Sequence, residues 1–423
     1  MIRFWYSLFF YSISPLIWIY LLLRAIKAPE YRDGFLQRLG IVSSDKKTGG
    51  ILVHCASVGE TIAATPLIQQ LLATYPEKII TVTTSTPTGK KTVTERFGNK
   101  VQHLYMPGDW LGAVRRFLNT LDPQLIILME TELWFNFLTC CNQQRRPVLL
   151  ANARLSEKSL KQYLKFPRFS KQLFNRLTVI AAQYSNDKNN FKSVGVEESK
   201  LLVSGSIKFD VSVSESLKRA QVSLKNQWAG ERPVWIAASI HPGEFEALLN
   251  THRELLKLIP NLLLIAVPRH PEQFSAFKKS CEQHSLSYVN RSRQESPDAN
   301  IQVVVGDTMG EMMLLCGVAD IAYVGGSLIE RGGHNPLEPV ACGIPVVMGP
   351  HVYNFSEITD KLRHAEILSI VGDGKQLTQQ LSVLLTDESL RLKKSSLCES
   401  FMAKNQGTVE RILEQIKSLI NAQ

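Results

Sequence analysis

The chain has 423 residues, 44% hydrophobic and 20% charged, a folded composition that excludes wholesale disorder and suits two domains of ~150–200 residues. Seven scattered cysteines without CxxC or Cys/His ligand spacing exclude a disulfide framework or structural zinc and point to a reduced compartment. The formal charge of +10 calls for an anionic partner, and it is uneven: residues 1–210 carry 27 Lys and Arg against 15 Asp and Glu, residues 211–423 carry 21 against 23.

Residues 4–23 contain no formal charge, and as a helix they are long enough to cross a ~30 Å hydrocarbon core. Trp5, Tyr6, Trp18 and Tyr20 lie near the ends, where interfacial aromatics belong. Arg3 precedes the run, while Arg24, Lys27, Arg32 and Arg38 follow it, so the body is expected on the cytoplasmic side. No small-x-small cleavage site follows, which argues against a signal peptide. Pro15 weakens a straight span, and a helix lying in the interface is the other reading.

Buried strands are expected at 51–56, 78–84, 101–106, 124–129, 148–151, 179–182 and 201–203, with helical spacers between them. The pattern restarts after a polar join at 211–232, with strands at 234–238, 262–267, 287–289, 303–305, 321–324 and 345–347. Strands alternating with helices imply parallel sheets covered on both faces. Two Rossmann-like domains follow, and ligands bind at the carboxyl ends of such strands. A last helix at 408–420 carries Val409, Ile412, Ile416 and Leu419 at packing spacing.

The notable segments fall at those strand ends. His54-Cys55-Ala56-Ser57-Val58-Gly59-Glu60-Thr61 follows the first strand and opens a helix, without a GxGxxG fingerprint. Glu60 there is either a favourable first-turn anion or a general base kept ionised by the helix dipole. Glu130 and Glu132 follow the strand at 124–129, and spacing does not choose which faces a ligand. Lys208 stands beside a glycine turn and suits a phosphate or carboxylate as a point charge. In the second half Arg269, set beside Pro268, suits a phosphate clamp. The Gly306–Met312 loop offers glycines and a helix start to an anion. The pairs Gly325-Gly326 and Gly332-Gly333 make room for a ligand, and Glu338 is placed to accept from ribose hydroxyls.

Taken in order, HCASVGE (54–60), ETELW (130–134), NARLS (152–156), PRHPE (268–272), GDTMGEM (306–312) and GGHNPLEP (332–339) resemble the 3-deoxy-D-manno-octulosonic acid (Kdo) transferases of lipopolysaccharide assembly. The resemblance covers nearly the whole chain. Phe135 stands where that family usually has Pro, and Ser206-Ile207 where it usually has Asn-Leu. The resemblance implies a GT-B glycosyltransferase fold, an α/β architecture of two Rossmann-like domains facing across a cleft behind an N-terminal membrane-anchor helix. The expected divisions are an anchor at 1–24, an acceptor domain at 25–212, a CMP-sugar domain at 213–405 and a packing helix at 406–423.

The implied reaction moves Kdo from CMP-Kdo to the 6′-hydroxyl of a tetra-acylated, bisphosphorylated lipid A precursor, with inversion. The implied place is the cytoplasmic face of a Gram-negative inner membrane, whose anionic surface is a partner. By the same resemblance Glu60 is the proton acceptor, and Glu130 and Lys208 stabilise the transition state. Pro268, Arg269, Met309, Gly310, Glu311, Asn335, Pro336, Leu337 and Glu338 line the CMP site. No cofactor is implied and no metal is expected in the chemical step, since no DxD-type ligand pair is evident. A UDP-sugar transferase and a non-catalytic nucleotide-binding scaffold are the competing readings. Nucleic acid is not an expected partner, because no RNP, zinc-finger or basic-helix pattern is present.

Overall fold

The computed structural model describes residues 2–422; the outermost positions of the expected anchor and final helix, 1 and 423, lie outside it. The chain divides into two compact units, Met1–Asp210 with Gly407–Gln423, and Val211–Gln406.

In the first unit the strands are β1 (Ile51–His54), β2 (Ile80–Thr84), β3 (Gln102–Tyr105), β4 (Leu125–Met129), β5 (Val148–Ala153), β6 (Val179–Ala182) and β7 (Leu201–Val203). They form a parallel sheet in the order β3-β2-β1-β4-β5-β6-β7. Helices cover both faces, so β1, β2, β4 and β5 are buried throughout, which explains why the sequence reads there as unbroken apolar runs. The chain turns from one side of the sheet to the other between β1 and β4. That reversal opens a crevice at their carboxyl ends.

The second unit repeats the plan with β8 (Val234–Ile240), β9 (Leu263–Pro268), β10 (Tyr288–Asn290), β11 (Val303–Val305), β12 (Ile321–Val324), β13 (Val346–Met348) and β14 (Leu368–Ile370). Their order is β10-β11-β9-β8-β12-β13-β14, with the reversal between β8 and β12. β14 has no counterpart among the expected strands. It is three residues long, interrupted by Ser369, and pairs with β13 alone, so it lacks the buried run that betrays an inner strand.

The final helix, Thr408–Asn421, belongs to the first unit. Val409, Ile412, Leu413 and Ile416 are buried in the same core as Ala64, Leu67 and Ile68 of the Val58–Thr74 helix. Asp210 fastens it by accepting from the amides of Gly407, Thr408 and Val409. Those are the unsatisfied donors of a helix start. Both chain crossings between the units therefore lie side by side at Asp210 and Gly407.

The N-terminal helix runs unbroken from Ile2 to Lys27, and an 18-residue stretch of it has a mean hydropathy of 1.6. By length and composition it is a candidate membrane anchor. Pro15 does not stop it. Proline leaves the Tyr11 carbonyl without its usual amide donor, and Ser14 Oγ donates to that oxygen at 2.7 Å instead.

Candidate functional site

Glu60 sits at the third position of the Val58–Thr74 helix, directly after β1. Ser57 caps that helix, its Oγ accepting from Glu60 N at 3.2 Å. The carboxylate folds back on the turn, where Ala56 N donates to Oε2 at 2.8 Å and Ser57 Oγ donates to Oε1 at 3.0 Å. It is nearly buried, 9% exposed. Burial raises its pKa to about 7, against the hydrogen bonds from Ala56 and Ser57 and with help from the charges of Glu132 and Glu130. The sequence reading expected the helix dipole to keep Glu60 ionised; desolvation and two neighbouring carboxylates outweigh it. The result is a group poised between its two protonation states near neutrality.

Glu130 and Glu132 lie at the end of β4, across the switch point from Glu60. Glu130 has a left-handed backbone, φ 56°, while its amide still donates to the Ala151 carbonyl at 2.9 Å. A side chain rarely adopts that conformation without cost. Burial raises the Glu132 pKa, and the charge of Glu130 adds to the shift. Both carboxylates act on Glu60, so the carboxyl ends of β1 and β4 carry one acidic cluster.

Lys208 reaches the same end of the sheet by a detour. After β7 the chain forms a tight turn, Ile207–Phe209, whose Ile207 amide donates to Asn152 Oδ1 at 3.1 Å, beside the end of β5. Asn152 is fully buried, with φ 54°. Ile207 and Phe209 are buried while Lys208 between them is exposed. Two apolar neighbours thus root the turn and leave the ammonium free to meet an anion.

In the second unit the ends of β8, β9 and β12 converge. Arg269 follows β9, is exposed, and donates its backbone amide to Ile240 at 3.0 Å. Its charge bears on His334 and Glu338. Glu338, mostly buried, has its pKa raised by burial against a hydrogen bond with Asn335 and the charge of Arg269. Asn335 Oδ1 also accepts from Leu337 N at 3.1 Å. Pro336 stands at the cap of the one-turn helix Leu337–Ala341. Met309 is 60% exposed, and Gly310, at φ 83°, faces open space. Glu311 is occupied within its own unit: Arg291 grips it with two hydrogen bonds at 2.7 and 3.0 Å, and Thr308 Oγ1 donates to it.

Two glycines are required by the packing of the chain itself. A Cβ on Gly325 would strike the β8 backbone at Ser239 O (2.6 Å) and Ile240 Cα (2.7 Å), and one on Gly332 would strike Asn354 and Tyr353.

Sequence reasoning passed over three residues at this end. Glu244 is completely buried and accepts from five donors: Tyr323 Oη (2.6 Å), His241 N (3.0 Å), Gly326 N (2.8 Å), Ser327 N (3.2 Å) and Leu328 N (3.2 Å). His241 and His334 stack and share a hydrogen bond between their Nε2 atoms at 2.8 Å. Burial lowers the pKa of each, that of His334 to about 4, so the pair is neutral at pH 7, one ring donating and the other accepting. The signal for Glu244 was its place three residues after a capping position, the spacing of Glu60 from Ser57.

Two parallel Rossmann-like sheets, each with its chemistry-bearing side chains at the carboxyl ends of the strands, place the chain in the GT-B fold class. The solved UDP-GlcNAc 2-epimerase from Neisseria meningitidis shares the fold at TM-score 0.52 and 14% identity, over 87% of this chain and 99% of that one. Residues 33–211 match the family described as 3-deoxy-D-manno-octulosonic-acid transferase. The 3-deoxy-D-manno-octulosonic acid transferase of Haemophilus influenzae is 40% identical over 98% of both chains. That of Bordetella pertussis is 32% identical over 97% of this chain and 98% of its own. The chain belongs to the Kdo transferase family.

Proposed function

We propose that this Kdo transferase takes Kdo from CMP-Kdo and delivers it, with inversion, to the 6′-hydroxyl of a tetra-acylated lipid A precursor at the cytoplasmic face of the inner membrane. The observation that carries the reading is Glu60, a nearly buried carboxylate at the β1–β4 switch point with a pKa near 7. Such a group takes a proton from an attacking hydroxyl at neutral pH. The hydroxyl oxygen bonds to the anomeric carbon as its proton passes to Glu60, and the bond from that carbon to the CMP phosphate oxygen breaks with its electron pair leaving on CMP. Glu130 offsets positive charge developing on the sugar, and Lys208 offsets negative charge on the phosphate.

CMP lies against Pro268, Arg269, Met309, Gly310, Glu311, Asn335, Pro336, Leu337 and Glu338. Because Glu311 is held by Arg291, its part there is to shape the loop and present backbone. Arg269 supplies positive charge to a leaving group that is already a stable anion, so the chemical step needs no divalent metal. The described residues contain no group of three His, Cys, Asp or Glu placed to hold one. The apolar first helix and the net positive first unit support attachment to an anionic membrane, where a bisphosphorylated acceptor resides.

The test is mass analysis of products from purified enzyme, lipid A precursor and CMP-Kdo, beside parallel reactions with UDP-sugars and with EDTA. A Kdo-bearing product formed from CMP-Kdo, in EDTA as without it, is expected. Transfer from a UDP-sugar alone would replace the donor, and loss of turnover in EDTA restored by one metal would refute the metal-free step.

A further inference from the structure

The N-terminal helix is docked lengthwise on the first unit. Its covered positions recur every three to four residues, at Ile2, Tyr6, Phe10, Ser14, Trp18, Leu21 and Ala25, the spacing of a single helix face. Contacts run along that face. Tyr6 Oη donates to Asp109 at 2.9 Å and Ser7 Oγ to Asn136 at 3.1 Å. The Phe10 ring meets Trp110 and Trp134, and the Trp18 ring stacks on Trp110 at 5.1 Å and 12°. Near the end of the helix Arg32 Nε donates to the Ala25 carbonyl, and Arg24 pairs with Tyr31. Asp109 is the anchor of this contact: buried, it also accepts from the amides of Asn136 and Phe137.

From Ile2 to Ala25 the helix is ~35 Å long at 1.5 Å per residue, more than a ~30 Å hydrocarbon core. Crossing the bilayer would carry the flank of the globular unit into that core, with Asp109 and with Arg115 and Arg176, whose charges act with Arg3 around Cys140 and Phe135. The outward face is different in kind. Phe4, Trp5, Phe9, Leu16, Leu23 and Ile26 are all more than half exposed. Arginines stand at both ends of the helix on the same body, Arg3, Arg115 and Arg176 at one and Arg24 and Arg32 at the other. That pattern complements a plane of anionic headgroups rather than the two sides of a membrane.

We infer that the protein is monotopic: the helix lies in the plane of one leaflet, its outer apolar face among the acyl chains and its inner face fixed to the first unit. The inference rests on the membrane attachment proposed above. The partner is an anionic phospholipid bilayer, and the N-terminus stays on the same side as the globular units.

Full-length protein with an N-terminal epitope tag, in sealed inside-out membrane vesicles, is washed with high salt and treated with a membrane-impermeant protease. The expected result is that the protein remains in the pellet and the tag is digested from the same side as the exposed loops. A tag protected until detergent is added, while the loops are cut, would overturn the in-plane arrangement and leave membrane attachment standing. Release into the salt wash would overturn the attachment and the inference with it.

Discussion

The two units open with the same device and put it to different ends. In each, the central strand at the switch point runs into a helix through a capping residue, two more positions and a glutamate: Ser57-Val58-Gly59-Glu60 after β1 and His241-Pro242-Gly243-Glu244 after β8. Both carboxylates fold back on their own turn. Across the switch point, however, Glu244 meets the β12 turn, which gives it three backbone amides and a tyrosine hydroxyl. Glu60 meets the β4 turn, which carries Glu130 and Glu132 instead. Five donors make Glu244 a rivet. Burial against only two donors, with two like charges adding to it, leaves Glu60 able to take up a proton. The neighbouring strand, rather than the helix start, sets which donors and which like charges each glutamate meets across the switch point.

The sharpest way to break that contrast is Glu60→Gln, which keeps the shape and removes the basicity. Turnover should fall ~10²–10⁴-fold, the usual contribution of a general base, with CMP binding and thermal stability retained. In the parent enzyme a base must be ionised to work. With a pKa of about 7, kcat/KM should climb about tenfold per pH unit below 7 and level off above ~8. Glu60→Gln should flatten that limb. A variant with near-parental turnover would exclude Glu60 as the base.

Glu244→Ala attacks the other half of the comparison. It strands buried donors worth ~1–3 kcal/mol each when unmet, and water entering the gap relieves part of that. A loss of ~3–5 kcal/mol is expected from the denaturation midpoint, with Glu244→Gln recovering a fraction. A loss under ~1 kcal/mol would mean that the β12 turn does not depend on this carboxylate.

How far the sequence carried this picture follows from the same two turns. Both sheets were legible because their inner strands are buried on two faces and therefore read as apolar runs, while the edge strand β14, with Ser369 in its centre, was not. Glu60 stood out by following such a run into a helix. Its raised pKa was not legible, because it comes first from burial in the folded unit and then from Glu132 and Glu130, some seventy residues away and brought near only by strand pairing. Glu244 occupies an equivalent place, yet its five donors come mostly from a turn more than eighty residues on. The glycines at 325 and 332 show a related limit: spacing reveals that a Cβ is excluded, and only the fold reveals which neighbouring chain excludes it. Asp109 gave no signal at all, since its role is to receive a tyrosine a hundred residues earlier in the chain.

Asp109 provides a test of intermediate size. It is a buried carboxylate whose pKa is raised by desolvation to about 6, against hydrogen bonds from Asn136, Tyr6 and Phe137, so at pH 7 it is mostly ionised. Asp109→Ala leaves two amides and a hydroxyl unmatched, and a loss of ~2–3 kcal/mol is expected for the protein in detergent. Tyr6→Phe removes one of those bonds and should cost ~1 kcal/mol. If Asp109→Ala were neutral, the helix would be held by its aromatic contacts alone.

The smallest effect belongs to Arg291→Ala, which frees Glu311. The pair is bidentate but partly exposed, the arginine side chain 19% and the glutamate 28%. Solvent screening therefore holds its worth to about 1 kcal/mol. The hydrogen bonds from Arg291 hold the Glu311 carboxyl below its usual range. A depressed acid contributes its stability above the unfolded value of 4.5 and loses it as pH falls through the folded value. The parent and Arg291→Ala should therefore differ in stability at pH 7 and converge as pH falls below 4.5 and through the lowered folded value. A difference that persisted unchanged into acid would assign the arginine's contribution to its packing over the Trp228 ring, 5.6 Å away, and not to the charge of Glu311.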